Sequence, residues 1–566
     1  MMIANTISTF ITRMYVCMCV CVYVCLYGSW NVVVVVVTAL MAACCPLQPI
    51  VLLVAFAVRI FQMVSSMPYL HDSQHWCLQT DLTLITALIL CVMSRPRHRV
   101  ADALAPNEAA RITSSAGATI RVQLFFVYTA AALFKVNQGF MSPRTSCASV
   151  YFVQLAEAFL PASMLSADLV NIVTKTAPIV VLLVEILVPV LLVLAPKLGV
   201  PFVGLFHTLI AITPPPNDIG SFGAQLMPRM LFYVPDEDAA VSAVDAALTP
   251  SWQGALVMLA AAVVTALQPK TWTGKLDYAV PICGAFAAIC TDAALRARSS
   301  MVRVHRLPRR IASALCSISF IYSFLMLPLG LSDVGNPSPF ASLRKHAGSN
   351  HYFLPTGLLQ RAFINAPPST ILGDSFGGGV IRVEMTNSSH LTGPRDILAV
   401  RTPKTQALLR EAGHAGTQYS PNIFAGGAQH IGMQSAPQAI AYTLPAAGLR
   451  RLIHEARVRY PSEDFFIVGS VLPGAEGDEA WRATASQYKF SIARRGSVPR
   501  ADDFIECIDP ETNVPCESHV HNLILSPPST HWIARLLQKL ILQKQLPVLI
   551  LPEEEERASS RILYCP

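Results

Sequence analysis

Eight apolar runs dominate the first 332 residues, at about 31–58, 78–93, 122–141, 177–195, 198–213, 252–268, 277–295 and 311–332. A helix that crosses a bilayer needs roughly 20 residues. Most of these runs reach that length; 78–93 and 198–213 must borrow flanking residues. After Ser332 the pattern changes to polar stretches rich in turn residues, with no run long enough to span. There "GGGVIRVEMT" (377–386), "DILAVR" (396–401) and "DFFIVGSV" (464–471) read as strands. "TPKTQALLREAG" (402–413) and "PAAGLRRLIHEARVRY" (445–460) read as amphipathic helices. A further helix with a basic face is predicted over 526–543, able to lie on a membrane or to pack. The predicted fold is a polytopic α-helical membrane bundle over 31–332, followed by a soluble α+β C-terminal domain over 333–566.

Composition supports the membrane reading. Only 14% of the residues are charged against 53% hydrophobic, where an ordinary soluble domain carries about 25% charged residues. The net charge of +7 matters less than its placement. Arg296, Arg298, Arg303, Arg306, Arg309 and Arg310 fall within fifteen residues that hold no acid. Between two apolar segments this is a cytoplasmic loop obeying the positive-inside rule rather than a nucleic-acid patch. Loop 94–121, with Arg95, Arg97, Arg99, Arg111 and Arg121, belongs on the same side. Two loops on one side require an even number of crossings between them, and the runs above supply five. The extra crossing is expected at 147–165 or at 219–234. Helix 311–332 then leads out of the cytosol and the C-terminal domain is lumenal. The glycosylation sequon at Asn387 agrees with that side.

Residues 1–30 form a low-complexity apolar N-terminus. "MYVCMCVCVYVC" uses Met, Tyr, Val and Cys, the residues a TG-rich microsatellite encodes, so it reads as a gene-model extension or, following Arg13, as a signal anchor. Most of the fifteen cysteines lie in or beside apolar runs and read as small buried hydrophobes. None has zinc-site spacing, and no metal is expected. Cys507 and Cys516 stand apart in "CIDPETNVPC". On a lumenal side they would form a disulfide; in the cytosol they would be free thiols.

The candidate chemistry centres on Lys135, inside "RVQLFFVYTAAALFKVNQGF". On a helix starting near Arg121 it lies about 21 Å along the axis, in the lumenal half of a core about 30 Å thick. It either snorkels to the headgroups or serves the function, since ionisable groups in a membrane are expensive. Desolvation disfavours an ammonium, and an amine kept from water can act as a general base. Glu157 or Glu185 could oppose this by pairing with it.

Tyr128, Ala131, Lys135, Val136, Asn137 and Phe140 form a pattern that resembles the Lys-Leu-Asp-x-x-Trp segment of the vitamin K-dependent gamma-carboxylases and of the wider horizontally transferred transmembrane (HTTM) domain family. "HDSQHWCLQTDLTLITAL" (71–88) resembles that family's Asn-His segment and places His75 at its histidine. "LFHTLIAI" (205–212) resembles the Phe-His helix and places His207. "SPFASLRKHAGSNHYFLP" (338–355) resembles the stretch that follows the last helix, although Arg344 and His351 there read equally as an interfacial anchor and a capping residue. The likeness covers roughly 45–355. This sequence departs from the pattern at Gln74 (Asn in the carboxylase), Asn137 (Asp) and Phe140 (Trp), and a glutamate-peptide module is not visible.

The resemblance implies an endoplasmic reticulum or other endomembrane enzyme with reduced vitamin K or a related quinone as cofactor. Lys135 would be the base that deprotonates the reduced quinone, and His75 would orient its oxygens, with His207 a second candidate. Dioxygen would then convert the quinone into a strong base that removes a γ-proton from a glutamate-containing protein substrate, and carbon dioxide would add to the carbanion. Expected partners are membrane lipid and that protein, with no nucleic acid. Two rival readings are a non-catalytic lipid or quinone carrier or transporter, and a membrane anchor that presents the C-terminal domain. On those readings His75 is an interfacial and His207 a core histidine.

Overall fold

A computed structural model describes, apart from isolated positions, residues 48–66, 72–96, 102–141, 146–212, 220–234, 279–296, 306–326, 380–386, 442–459, 465–472, 489–494 and 506–508. The described part is mostly helical. In chain order come α1 (Pro49–Ser66), α2 (Asp72–Met93), α3 (Pro106–Phe134), the single turn α4 (Gln138–Met141), α5 (Cys147–Phe159), α6 (Ala167–Leu194), α7 (Pro196–Ala211), the short α8 (Gly220–Leu226) running into a 3-10 stretch (Met227–Tyr233), α9 (Ala279–Arg296) and α10 (Arg309–Phe320). Ile321–Leu325 continues α10 as a π turn. Among the described residues three helices are long and apolar enough to cross a membrane: Gln74–Met93, Arg111–Phe134 and Ala167–Leu194. The predicted runs at 78–93, 122–141, 177–195, 198–213, 277–295 and 311–332 are all helical in whole or part. The run at 252–268 lies outside the described residues. Of the two segments proposed for an extra crossing, 147–165 yields a thirteen-residue helix and 219–234 a short helix with a 3-10 stretch. Thirteen residues reach only about 20 Å.

Local chemistry sets the helix ends. Pro106 opens α3, and the Glu108 carboxylate accepts the Ala105 N–H at 2.8 Å. Arg95 pairs with Glu108 and also donates to the carbonyls of Arg99, Asp102 and Ala103, gathering the turn between α2 and α3. Its guanidinium holds the Glu108 carboxyl at about 2, well below its ordinary value. One residue, Ala195, joins α6 to α7. At this joint the two helices touch at Gly199, where an added Cβ would stand 2.7 Å from the Leu191 carbonyl carbon. Inside α6, Pro178 has no N–H for the carbonyl four residues back. That carbonyl, of Thr174, instead accepts the Ser149 hydroxyl of α5 at 2.7 Å.

A buried ionic cluster ties α1, α2 and the 3-10 stretch. Asp81 meets Arg59 at 3.0 Å and Arg229 at 3.3 Å. Arg229 also donates to the Thr80 hydroxyl at 2.7 Å and to the Gln225 carbonyl. Asp81 and Arg229 are both completely shielded from solvent to within 1%.

The described C-terminal elements are β1 (Val380–Thr386), β2 (Tyr442–Pro445), α11 (Ala446–Arg459), β3 (Phe465–Leu472), β4 (Lys489–Arg494) and β5 (Glu506–Ile508). The strands form one antiparallel sheet in the order β2-β1-β3-β4-β5. A register shift between Val383 and Met385 bends β1 against β3. Helix α11 buries Ala446, Leu449 and Ile453, one helical face, and packs on β1 and β2. Strands predicted at 377–386 and 464–471 and the helix at 445–460 are therefore present. The predicted strand 396–401 and helix 402–413 lie outside the described residues, as do Asn387, Cys516, Arg344 and His351. Of helix 526–543 only Trp532 and Leu536 are described. Cys507 lies in β5 opposite Ile492.

Candidate functional site

The segment 122–141 does not run as one helix. α3 stops at Phe134, and Lys135 is its C-cap, with its N–H on the carbonyls of Ala132 and Leu133. Asn137 makes the break. Its side-chain N–H donates to the Phe134 carbonyl at 2.7 Å, and its Oδ1 accepts the Phe140 N–H at 2.8 Å. One side chain thus ends α3 and begins α4. The turn points Lys135 inward, beside the negative end of the α3 dipole.

Lys135 is only 3% exposed. Its Nζ sits 2.8 Å from Glu185 Oε2 on α6 and 5.8 Å from the centre of the Phe140 ring. Of the two acids considered from sequence, Glu185 is the partner; Glu157 does not reach the cavity wall. Snorkelling is excluded by this burial. Glu185 stands ten residues from exposed Lys175 and nine from Leu194, the last residue of α6, a stretch of roughly 29 Å. The pair therefore lies near the middle of that stretch rather than toward one end, where sequence reasoning put the lysine.

Lys135 and Glu185 form part of the wall of a cavity of about 350 Å³. Trp76, Tyr128, Phe140, Phe202, Phe206 and Phe222 supply aromatic surface around it. Trp76 and Phe222 meet edge to face at 5.7 Å. The volume falls at the low end of small-molecule sites, about 300–1,000 Å³. Three lining residues, Val180 on α6 and Leu205 and Leu209 on α7, are also 45%, 59% and 51% exposed. They mark where the cavity opens.

The two histidines part company. His207, fully buried on α7, is bonded through Nε2 to the Tyr128 hydroxyl at 2.7 Å. It is held close by Gly223, whose added Cβ would stand 3.1 Å from the His207 Cβ. His207 thus backs a wall residue without reaching the cavity. His75 is buried on α2 but turns the other way, stacking on Tyr322 of the π turn at 4.7 Å; its neighbour Trp76 faces the cavity instead. The structure brings Lys135 to the site directly, His207 through Tyr128, and leaves His75 outside the wall. Sequence reasoning assigned no role to Tyr128 or to the Arg59–Asp81–Arg229 cluster. Each of those charges interrupts or borders an apolar run, the same signal that drew attention to Lys135.

Buried Cys77, Cys91, Cys283 and Cys290 lie in helices, as the apolar context of the cysteines led one to expect.

Residues 349–535 match the model of a family described as a domain of unknown function (DUF8388). The match spans the sheet and α11 and lies beyond the helices that build the cavity. No curated protein matches the chain, and no solved structure does.

Proposed function

We propose that the chain is an integral membrane oxidoreductase that acts on a lipid-soluble reduced quinone held in the cavity beside Lys135, with the C-terminal region on the lumenal side of an endomembrane. The observation that carries this reading is an amine–carboxylate pair in the wall of an otherwise apolar and aromatic cavity. An aromatic ring in the cavity would lie against the wall that Trp76, Phe140 and Phe222 supply, with its oxygens toward the hydroxyl of Tyr128 and the amine of Lys135. A reduced quinone, with dioxygen, supplies an oxidation that ends in an epoxide and water. The chain supplies the handling of protons. A proton passed across the 2.8 Å contact leaves a neutral amine and a carboxylic acid, and such a pair is less penalised in apolar surroundings than two separated charges. The neutral Lys135 amine can then accept a proton from a hydroxyl placed against it. The aromatic wall keeps water from competing. Carboxylation of a glutamate-containing protein is the extension that the gamma-carboxylase resemblance suggests.

A carrier reading draws on the same contact, because a lysine already paired with Glu185 can hold a ligand without doing chemistry. Purified protein in nanodiscs, given a reduced 1,4-naphthoquinone and dioxygen, separates the two. The enzyme reading expects epoxide, with the rate of Lys135→Met/Glu185→Leu falling by about 10²–10⁴-fold, the usual worth of general base catalysis. Bound quinone with no product from the unaltered protein favours the carrier. Equal rates in both proteins would remove Lys135 from the chemistry.

A further inference from the structure

We infer that the cavity is loaded sideways, through the gap between α6 and α7, and that its occupant is a ring with a long apolar chain that stays in this gap. The inference rests on the quinone reading for the ring and on separate observations for the chain. α6 and α7 approach closely at their joint, where Gly199 meets Leu191. Measured from that contact, Glu185 lies six residues along α6 and Leu205 six along α7, about 9 Å each. Val180 and Leu209 lie eleven and ten residues away, about 15–17 Å. The exposed lining residues therefore face each other across the same height, on both sides of one opening, and Glu185 stands level with its lower edge.

The outside of this opening is apolar. On α6, Ile172, Ile179, Leu183 and Ile186 are exposed, and on α7 so are Leu198 and Leu205. Such a flank, with exposed Lys175 and Lys197 only toward its ends, suits the hydrocarbon of a bilayer and not water. The ionic pair is at the inner end and the greasy lips are at the outer end. A molecule that satisfies both has a polar ring and an apolar tail. A cavity of about 350 Å³ leaves little room for a tail of many carbons, so the tail lies in the gap over Val180, Leu205 and Leu209.

The test compares two quinones that share a ring: 2-methyl-1,4-naphthoquinone and its phytyl-tailed counterpart. Binding is measured as quinone retained by protein-loaded nanodiscs over empty ones. Leu209→Phe and Val180→Phe narrow the gap; Leu205→Ala with Leu209→Ala widens it. Narrowing is expected to weaken the tailed quinone by about tenfold or more while the tailless one changes by less than about twofold. Widening removes contacts to the tail and is expected to weaken the tailed quinone, by less than narrowing does, while sparing the tailless one. Thermal unfolding identifies any variant that fails to fold, and the widened variant then carries the comparison through weaker retention of the tailed quinone alone. If narrowing affects the two quinones alike, or neither, the lateral opening is wrong while the quinone reading stands. If the unaltered protein retains neither quinone, the quinone reading falls and this inference with it.

Discussion

Replacing Asp81 with alanine is expected to cost the helical part about 3–5 kcal/mol, the price of breaking a buried ion pair by removing one partner. The upper end of that range is the relevant one here. Asp81 serves two guanidiniums, Arg59 at 3.0 Å and Arg229 at 3.3 Å. A guanidinium cannot shed its proton in a protein, so both positive charges persist when the carboxylate is gone. Thermal unfolding of Asp81→Ala in nanodiscs should show the largest drop among single substitutions in this cluster. Asp81→Leu combined with Arg59→Met and Arg229→Met should recover most of the loss, because well-packed apolar groups replace a buried ionic cluster at little or no cost. A drop under about 1 kcal/mol for Asp81→Ala would mean that water reaches the cluster.

The second large effect concerns Glu185. Glu185→Leu removes the carboxylate 2.8 Å from Lys135 Nζ and is expected to cost about 3 kcal/mol, nearer the lower end of the same range. The difference from Asp81 is chemical: an amine can discharge by giving up its proton, which a guanidinium cannot. Lys135→Met/Glu185→Leu should return to within about 1 kcal/mol of the unaltered protein, since both charges leave together. Stability and turnover then come apart. The double variant folds, and its loss of product formation reports on the amine–carboxylate pair and not on lost stability. If the double variant is as unstable as Glu185→Leu, the two side chains are not coupled, and the contact has no part in holding α3 to α6.

Much of the helical part was legible along the chain. Apolar runs located α2, α6, α7 and α9, because each is long or fully apolar and its neighbours are marked by turns or basic residues. The break after Phe134 was not legible. "LFKVNQGF" carries no proline, and the asparagine that ends one helix and starts the next does so through two hydrogen bonds that depend on its rotamer. The pairing of Lys135 with Glu185 was open between two acids, since fifty residues of chain separate the partners and only packing chooses between α5 and α6. His75 lies off the cavity wall for a simpler reason. It and Trp76 are adjacent on a helix, about 100° apart around the axis, so only one can face the cavity, and the larger ring does. The sheet was half visible. β1 and β3 are apolar enough to declare themselves, whereas β2 has four residues, β5 three, and β4 mixes Lys489, Ser491 and Arg494 with its apolar positions.

Pro178 and Ser149 carry a consequence for how this chain can change through descent. The proline leaves the Thr174 carbonyl without its usual donor, and the serine hydroxyl fills the vacancy. In lineages where another amino acid takes over position 178, a restored backbone N–H makes the hydroxyl redundant and position 149 is free to drift to alanine. The reverse order, losing the hydroxyl first, strands a carbonyl in the interior and should be rare among surviving relatives.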